Sequence, residues 1–69
     1  MSVAVDIIQT KLDNMGKDWA WLAEKIGIDL STMYRKKKVG LSTLTVKQIH
    51  AIVDALSLSK AEATNIFLW

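Results

Sequence analysis

The chain has 69 residues, no cysteine and one histidine, His50, so it offers neither a disulfide framework nor a Cys/His zinc site. Its composition, 51% hydrophobic and 23% charged, is typical of a globular domain, and no apolar run approaches the roughly 18 residues that span a bilayer. We therefore expect a single cytoplasmic domain over residues 1–69 that depends on apolar packing, with no cofactor, metal or membrane contact.

The first predicted helix covers roughly residues 3–14. Ser2 or Asp6 can cap its start, and Gly16 suits the left-handed position that follows a helix end. Four apolar residues have the three- and four-residue spacing that places them on one helical face: Val5, Ile8, Leu12 and Met15.

Two short helices are predicted next, separated by a glycine. Asp18 is the expected cap of the second helix, and Gly27 ends it. Asp29 is the expected cap of the third, which runs from Leu30 to about Lys37. The apolar face of the second helix is formed by Trp19, Leu22, Ala23 and Ile26.

The rest of the chain is predicted to be a loop, 39-VGLSTL-44, followed by two more helices. Each of these helices opens on a capping-box pattern, 45-TVKQ-48 and 59-SKAE-62. The last helix is short and contains Ile66 and Phe67. The apolar stripe of the fourth helix consists of Val46, Ile49, Ile52, Val53 and Leu56. The pattern predicts an all-α domain of five helices.

The second and third helices have the spacing of a helix-turn-helix unit, in which a short glycine-containing turn joins two helices and the second enters the DNA major groove. Ala23 and Gly27 stand four residues apart, which supplies a small residue at the close crossing and a turn residue that tolerates positive φ. The apolar contacts that the unit needs can come from Leu22, Ile26, Ile28 and Met33.

The run 22-LAEKIGIDLSTMYR-35 resembles the lambda-repressor/Cro-like, or XRE-like, helix-turn-helix family of bacterial and phage regulators. The tail over residues 39–67 is similar to small phage-encoded members. The resemblance implies a compact five-helix lambda-repressor-like DNA-binding domain with the helix-turn-helix at about residues 18–37. Where many members carry an aliphatic anchor at the end of the recognition helix, this chain has Lys36 and Lys37. Tyr34 or the lysine stems are then the expected anchors.

The resemblance also implies which residues contact DNA. Base edges are expected to be read by the first turns of the third helix, through Leu30, Ser31 and Arg35. Arg35 is the strongest candidate, because arginine can bond bidentately to guanine. Phosphate contacts, which set register and affinity, are expected from Lys17, Thr32, Lys36, Lys37 and Lys38.

The cluster 35-RKKK-38 also has alternative interpretations. Cations stabilise helix C-termini by about 0.3–1 kcal/mol each, so the cluster can be a solvated helix end. A nuclear-localisation signal is a weaker alternative. The helix-turn-helix spacing favours a DNA contact for the cluster. A phosphate bound within the screening length of ~8 Å would interact with these four cations and not with the net charge of +2.

An association surface is predicted at the C-terminal end. The segment 66-IFLW-69 is wholly apolar and cannot face inward along its whole length. Ile66 and Phe67 can complete the core, which leaves Leu68 and Trp69 for a partner, unless Trp69 folds back over the first helix. Trp21 cannot share a helical face with Trp19, and is expected at a rim or in the same association surface.

No enzymatic activity is expected, because the sequence contains no recognisable nucleophile–base pair, carboxylate pair or phosphate-cradling loop. The predicted function is a Cro-like repressor, from a phage or prophage in a bacterial host cell, that occupies operator DNA as a homodimer. The alternative is an antirepressor or protein-interaction module that binds another phage regulator. The cationic cluster opposes that alternative. It is favoured by acidic residues near the helix-turn-helix and by an unusual number of apolar ones: Asp18, Asp29, Trp21, Leu68 and Trp69.

Overall fold

The computed structural model describes residues 3–67, and all regular structure in that range is helical. The five helices are α1 (Val3–Met15), α2 (Trp19–Ile26), α3 (Leu30–Lys38), α4 (Val46–Leu56) and α5 (Lys60–Phe67). No strand occurs between residues 3 and 67, so the predicted all-α architecture of five helices is confirmed for this part of the chain. The predicted ends of the first and third helices each fall a single residue short of those observed.

Most of the predicted helix starts have the expected hydrogen bonds. The Asp18 carboxylate accepts a bond from the Trp21 amide at 2.8 Å. Both capping boxes are reciprocal, at residues 45–48 and 59–62. Asp29 holds the N-cap position of α3, as predicted, although its carboxylate makes no capping hydrogen bond. The start of α3 depends instead on the extended backbone of Asp29, which ends the preceding turn.

A glycine turn separates α2 from α3, as predicted. Gly27 adopts φ 77°, and its amide donates to the carbonyl of Glu24 while the Ile28 amide donates to that of Ala23. A Cβ atom on this glycine would meet no heavy atom within 4 Å. Glycine is therefore favoured here by the left-handed backbone and not by crowding.

The core lies where α2 packs against α3 and α4, and where α1 packs against α5. Its buried members come from every helix and from both connections that follow α3 and α4: Ile8, Leu12, Trp19, Leu22, Ala23, Met33, Leu41, Ile52, Leu56, Leu58 and Ile66. Ile26 and Ile28 pack against this core while partly exposed, as the predicted contacts of the α2–α3 unit require. Met15 and Val46 were predicted on apolar faces, but they are 40% and 64% exposed. Each lies at a helix terminus, beyond the part of the face that its neighbours cover.

The loop between α3 and α4 contributes a core residue, Leu41, which the prediction of a simple loop over residues 39–44 did not include. Its side chain is buried although its φ is 65°, a left-handed value that leucine rarely adopts. Its amide donates to the Lys36 carbonyl at 2.8 Å, which closes the end of α3. Apolar burial and this bond together offset the backbone strain.

A surface ion pair joins the two terminal helices. The Lys11 Nζ lies 2.6 Å from the Glu62 carboxylate. This bond, together with the capping bonds to Ser59, holds the pKa of the Glu62 carboxyl below its ordinary value. The pair adds a polar contact to the packing of α1 on α5.

Candidate nucleic-acid interface

One side of α3 faces the core and the other faces solvent. Met33 is fully buried and marks the inner side. The outer side is formed by exposed residues at one- and three-residue intervals: Leu30, Ser31, Tyr34, Arg35 and Lys38. Since residues four apart in a helix lie above one another, Ser31 and Arg35 occupy adjacent turns of this outer side. The three predicted base-reading residues are therefore brought together on one exposed surface.

Arg35 is partly oriented by its own helix. Its Nη2 donates to the Thr32 hydroxyl at 3.0 Å, one turn toward the N-terminus. A guanidinium has five N–H donors, so this single bond leaves the planar fork capable of addressing a second acceptor pair. The contact directs the side chain along the exposed surface of α3.

Lys36 and Lys37 are both half-buried and contact other parts of the chain. The Lys36 Nζ donates to the Thr43 carbonyl at 3.1 Å, which connects α3 to the following loop. The Lys37 Nζ lies 4.3 Å from the centroid of the Trp19 ring and 5.2 Å from that of Tyr34. At the end of α3, where many members of the family that this chain resembles carry an aliphatic anchor, Lys36 and Lys37 make the contacts with the rest of the chain. The four-cation cluster thus divides between inward and outward residues.

The two tryptophans of α2 occupy the different positions expected for them. Trp19 is 6% exposed, and its Nε1 donates to Gln9 Oε1 at 2.6 Å. Trp21 is half-buried at the rim of the core. The ammonium groups of Lys17 and Lys25 each lie 5.6 Å from the centroid of the Trp21 ring. Lys17, a predicted phosphate contact, therefore sits beside an aromatic surface before α2.

Acidic residues precede both helices that carry the predicted DNA contacts. Asp18 and Asp29 are both exposed, and each immediately precedes one of the two helices α2 and α3. The Asp18 carboxylate caps α2 by accepting a hydrogen bond from the Trp21 amide. This bond partly compensates its negative charge. Asp29 lacks such a bond, and its charge adjoins the leading turn of α3.

Two of the residues predicted for association, Leu68 and Trp69, lie outside the described residues. Next to them in sequence, Phe67 is half-buried and lines an open groove of about 270 Å³. Apolar residues from α1, α4, α5 and the α3–α4 loop form most of its wall: Ala4, Leu41, Leu44, Ile49 and Ile66. The last described residue of α5 thus borders an apolar depression.

Between residues 3 and 67, no cluster of His, Cys, Asp or Glu side chains could hold a metal ion. None of the helices described there is both long and apolar enough to cross a membrane. The chain matches no protein-family model, no curated protein and no solved structure.

Proposed function

We propose that this chain is a sequence-specific DNA-binding regulator, a Cro-like repressor that acts by occupying its operator. The observation that carries the proposal is the outer side of α3, where Ser31, Arg35 and Lys38 are exposed together. This helix follows α2 after a turn of three residues, 27–29, that contains a left-handed glycine. Such an arrangement suits a helix-turn-helix unit whose second helix enters the major groove.

In this proposal the outer side of α3 reads the bases. Arg35 bonds to the O6 and N7 acceptors of guanine, Ser31 serves as donor or acceptor, and Leu30 contacts a thymine methyl group. The exposed fraction of Leu30, 38%, is large enough for such an apolar contact. The three side chains would thus contribute a polar and an apolar element to sequence recognition.

The phosphate contacts are proposed to flank these base contacts. Lys38 ends α3 on its exposed side, and Lys17 precedes α2. Thr32 lies between them in sequence and accepts a hydrogen bond from Arg35. It can therefore position that side chain and also bind a phosphate. Lys36 and Lys37 were predicted for the same role, and both would have to leave intramolecular contacts to fulfil it.

Binding as a homodimer would match two half-sites about one helical turn, roughly 34–36 Å, apart. Operator occupancy of this kind represses by covering a promoter and excluding polymerase. The antirepressor alternative is favoured by the exposed apolar Leu30 and Tyr34, which could pack on another regulator. It is disfavoured by Arg35 and Lys38, because a module that covers a basic DNA-reading surface should be acidic there.

Replacing Lys38 with alanine should weaken binding to all DNA duplexes alike. Each phosphate-neutralising cation contributes about 0.9 to the slope of log affinity against log salt concentration, so the slope should become shallower by about that amount. Fluorescence titration of a labelled duplex over a series of salt concentrations measures it.

The matched control for this test is Lys60→Ala, which removes the same charge from the exposed start of α5. Its slope should equal that of the wild-type chain. A slope that Lys38→Ala leaves unchanged would show that Lys38 is only a solvated helix end.

A chain ending at Phe67 should lose self-association. Ile66 is buried and Phe67 packs against the core, as predicted, so the truncation keeps the core contacts of α5 and removes only Leu68 and Trp69. Sedimentation is expected to give a dimer for the full chain and a monomer for the truncated one. A full chain that stays monomeric at high concentration and on DNA would exclude association through this end.

A further inference from the structure

A continuous set of contacts crosses three helices and ends at the cationic cluster. On α1, Gln9 donates from Nε2 to Asp13 Oδ1 at 2.9 Å and accepts at Oε1 from Trp19 Nε1 at 2.6 Å. The indole of Trp19, on α2, is 6% exposed. Over its ring, 4.3 Å from the centroid, lies the ammonium of Lys37 on α3.

We propose that Lys37 is a positioning residue, which fixes the C-terminal turn of α3 on the Trp19 ring and does not neutralise a DNA phosphate. The proposal rests on the proposed DNA-binding function, because it assigns one residue of that interface a different role. It also divides the cluster, leaving Arg35 and Lys38 to face DNA.

Helical geometry supports this division. Lys37 follows the buried Met33 by four residues and is itself half-buried, so it lies beside the core-facing side of α3. Lys38 is rotated from Lys37 by about 100° and lies on the exposed side. Lys37 holds its ammonium over the Trp19 ring, at the edge of the outer side where Tyr34 also lies, so its charge is engaged within the chain.

The aromatic partner is well suited to hold a cation. Tryptophan has the most favourable ring face for an ammonium, and the apolar stem of lysine can lie along the core surface that leads to it. The bond from Nε1 to Gln9 fixes the rotation of the indole, so the ring face is presented to α3 in one orientation. Tyr34 adds a second ring at 5.2 Å from the same ammonium.

The contact fixes the end of α3 relative to α1 and α2. Arg35 stands two residues before Lys37, in the same helical turn. Holding that turn in one place restricts the angle at which Arg35 reaches a base pair. Lys37 would therefore affect sequence discrimination without touching DNA.

The contact can be tested in the wild-type chain by NMR. Protons above an aromatic ring are shielded by its ring current, so the ε-methylene resonances of Lys37 should lie upfield of those of Lys38. Coincident, unshifted resonances for the two residues would overturn the proposal. This measurement does not depend on DNA binding.

The role can be tested with two matched variants, Lys37→Met and Lys38→Met. Lys37→Met keeps the apolar stem and removes the cation, so Tm should fall by roughly 2–8 °C, whereas Lys38→Met should leave Tm close to wild type. Lys37→Arg should restore most of the loss, since a guanidinium also stacks on an indole. An unchanged Tm for Lys37→Met would overturn the proposal.

DNA binding supplies the readout that separates positioning from phosphate contact. The probe is a duplex selected by the wild-type chain from a randomised pool, compared with random duplex. Lys37→Met should retain the wild-type salt slope and lose roughly two- to five-fold in discrimination, whereas Lys38→Met should lose about 0.9 of slope. Equal slope losses in the two variants would make Lys37 a phosphate contact. If the wild-type chain binds no duplex, the DNA-binding function fails and the positioning role with it, whatever the Tm and NMR results show of the contact.

Discussion

Replacing Ala23 with leucine is expected to destabilise the domain by about 1–3 kcal/mol, or to prevent folding altogether. Ala23 is 2% exposed on α2, the helix that packs against both α3 and α4. Three added carbon atoms have no space there unless the neighbouring helices move apart. A small domain buries little surface and so has little stability to lose. Each kcal/mol should lower Tm by roughly 4–8 °C in a chain of this size.

Thermal unfolding followed by circular dichroism measures this effect, and Ala20→Leu is the matched control. Ala20 lies on the same helix but is exposed, so the same substitution should change stability by less than about 0.5 kcal/mol. Equal Tm values for the Ala23 variant and the wild-type chain would show that α2 does not approach its neighbours closely at Ala23. The packing of α2 on α3 described above would then be wrong.

Replacing Arg35 with alanine is expected to cost about 1–3 kcal/mol on the selected duplex, and far less on random DNA. The expected loss corresponds to roughly 5- to 150-fold in affinity. A bidentate bond to guanine contributes only where guanine is present, whereas a phosphate contact contributes on every sequence. Arg35 lies on the outer side of α3 and its guanidinium bonds to Thr32, so its reach is directed along the surface that we propose faces DNA.

The comparison with Lys38→Ala makes the Arg35 result decisive. The lysine variant should lose affinity equally on selected and random duplexes, while the arginine variant should lose it mainly on the selected one. Arg35→Lys should recover only part of the discrimination, because an ammonium can donate to guanine but lacks the fixed planar fork of a guanidinium. Equal losses on both duplexes for Arg35→Ala would assign the side chain to the phosphate backbone.

The helix boundaries could be predicted because their signals are local. Gly16 and Gly27 take the left-handed conformation after α1 and α2, and the two capping boxes begin α4 and α5. Leu41 and Leu58 enter the core from connections between helices, where no periodicity exists to reveal them. Their burial depends on the positions of distant helices, which a local pattern does not contain.

The candidate site likewise has features that the sequence could predict and contacts that it could not. The outer side of α3 follows from its period and from the buried Met33, so the grouping of Ser31 with Arg35 was predictable. The contacts of Lys36 and Lys37 were not, because Thr43 and Trp19 are brought to them by tertiary packing. The four-residue spacing from Met33 to Lys37 was the one available signal that this lysine faces inward.

The central claim is that the outer side of α3 binds DNA. The most direct test is to titrate the full chain with duplex DNA from a randomised pool at about 50 and 200 mM salt. The claim predicts that the chain binds only a subset of the sequences in the pool. It also predicts that affinity falls steeply with salt concentration, with a slope that grows with the number of phosphates contacted. Absence of binding at both salt concentrations, from a chain shown to be folded by circular dichroism, would contradict it. Binding of such a chain to another DNA-binding regulator would then support the antirepressor alternative.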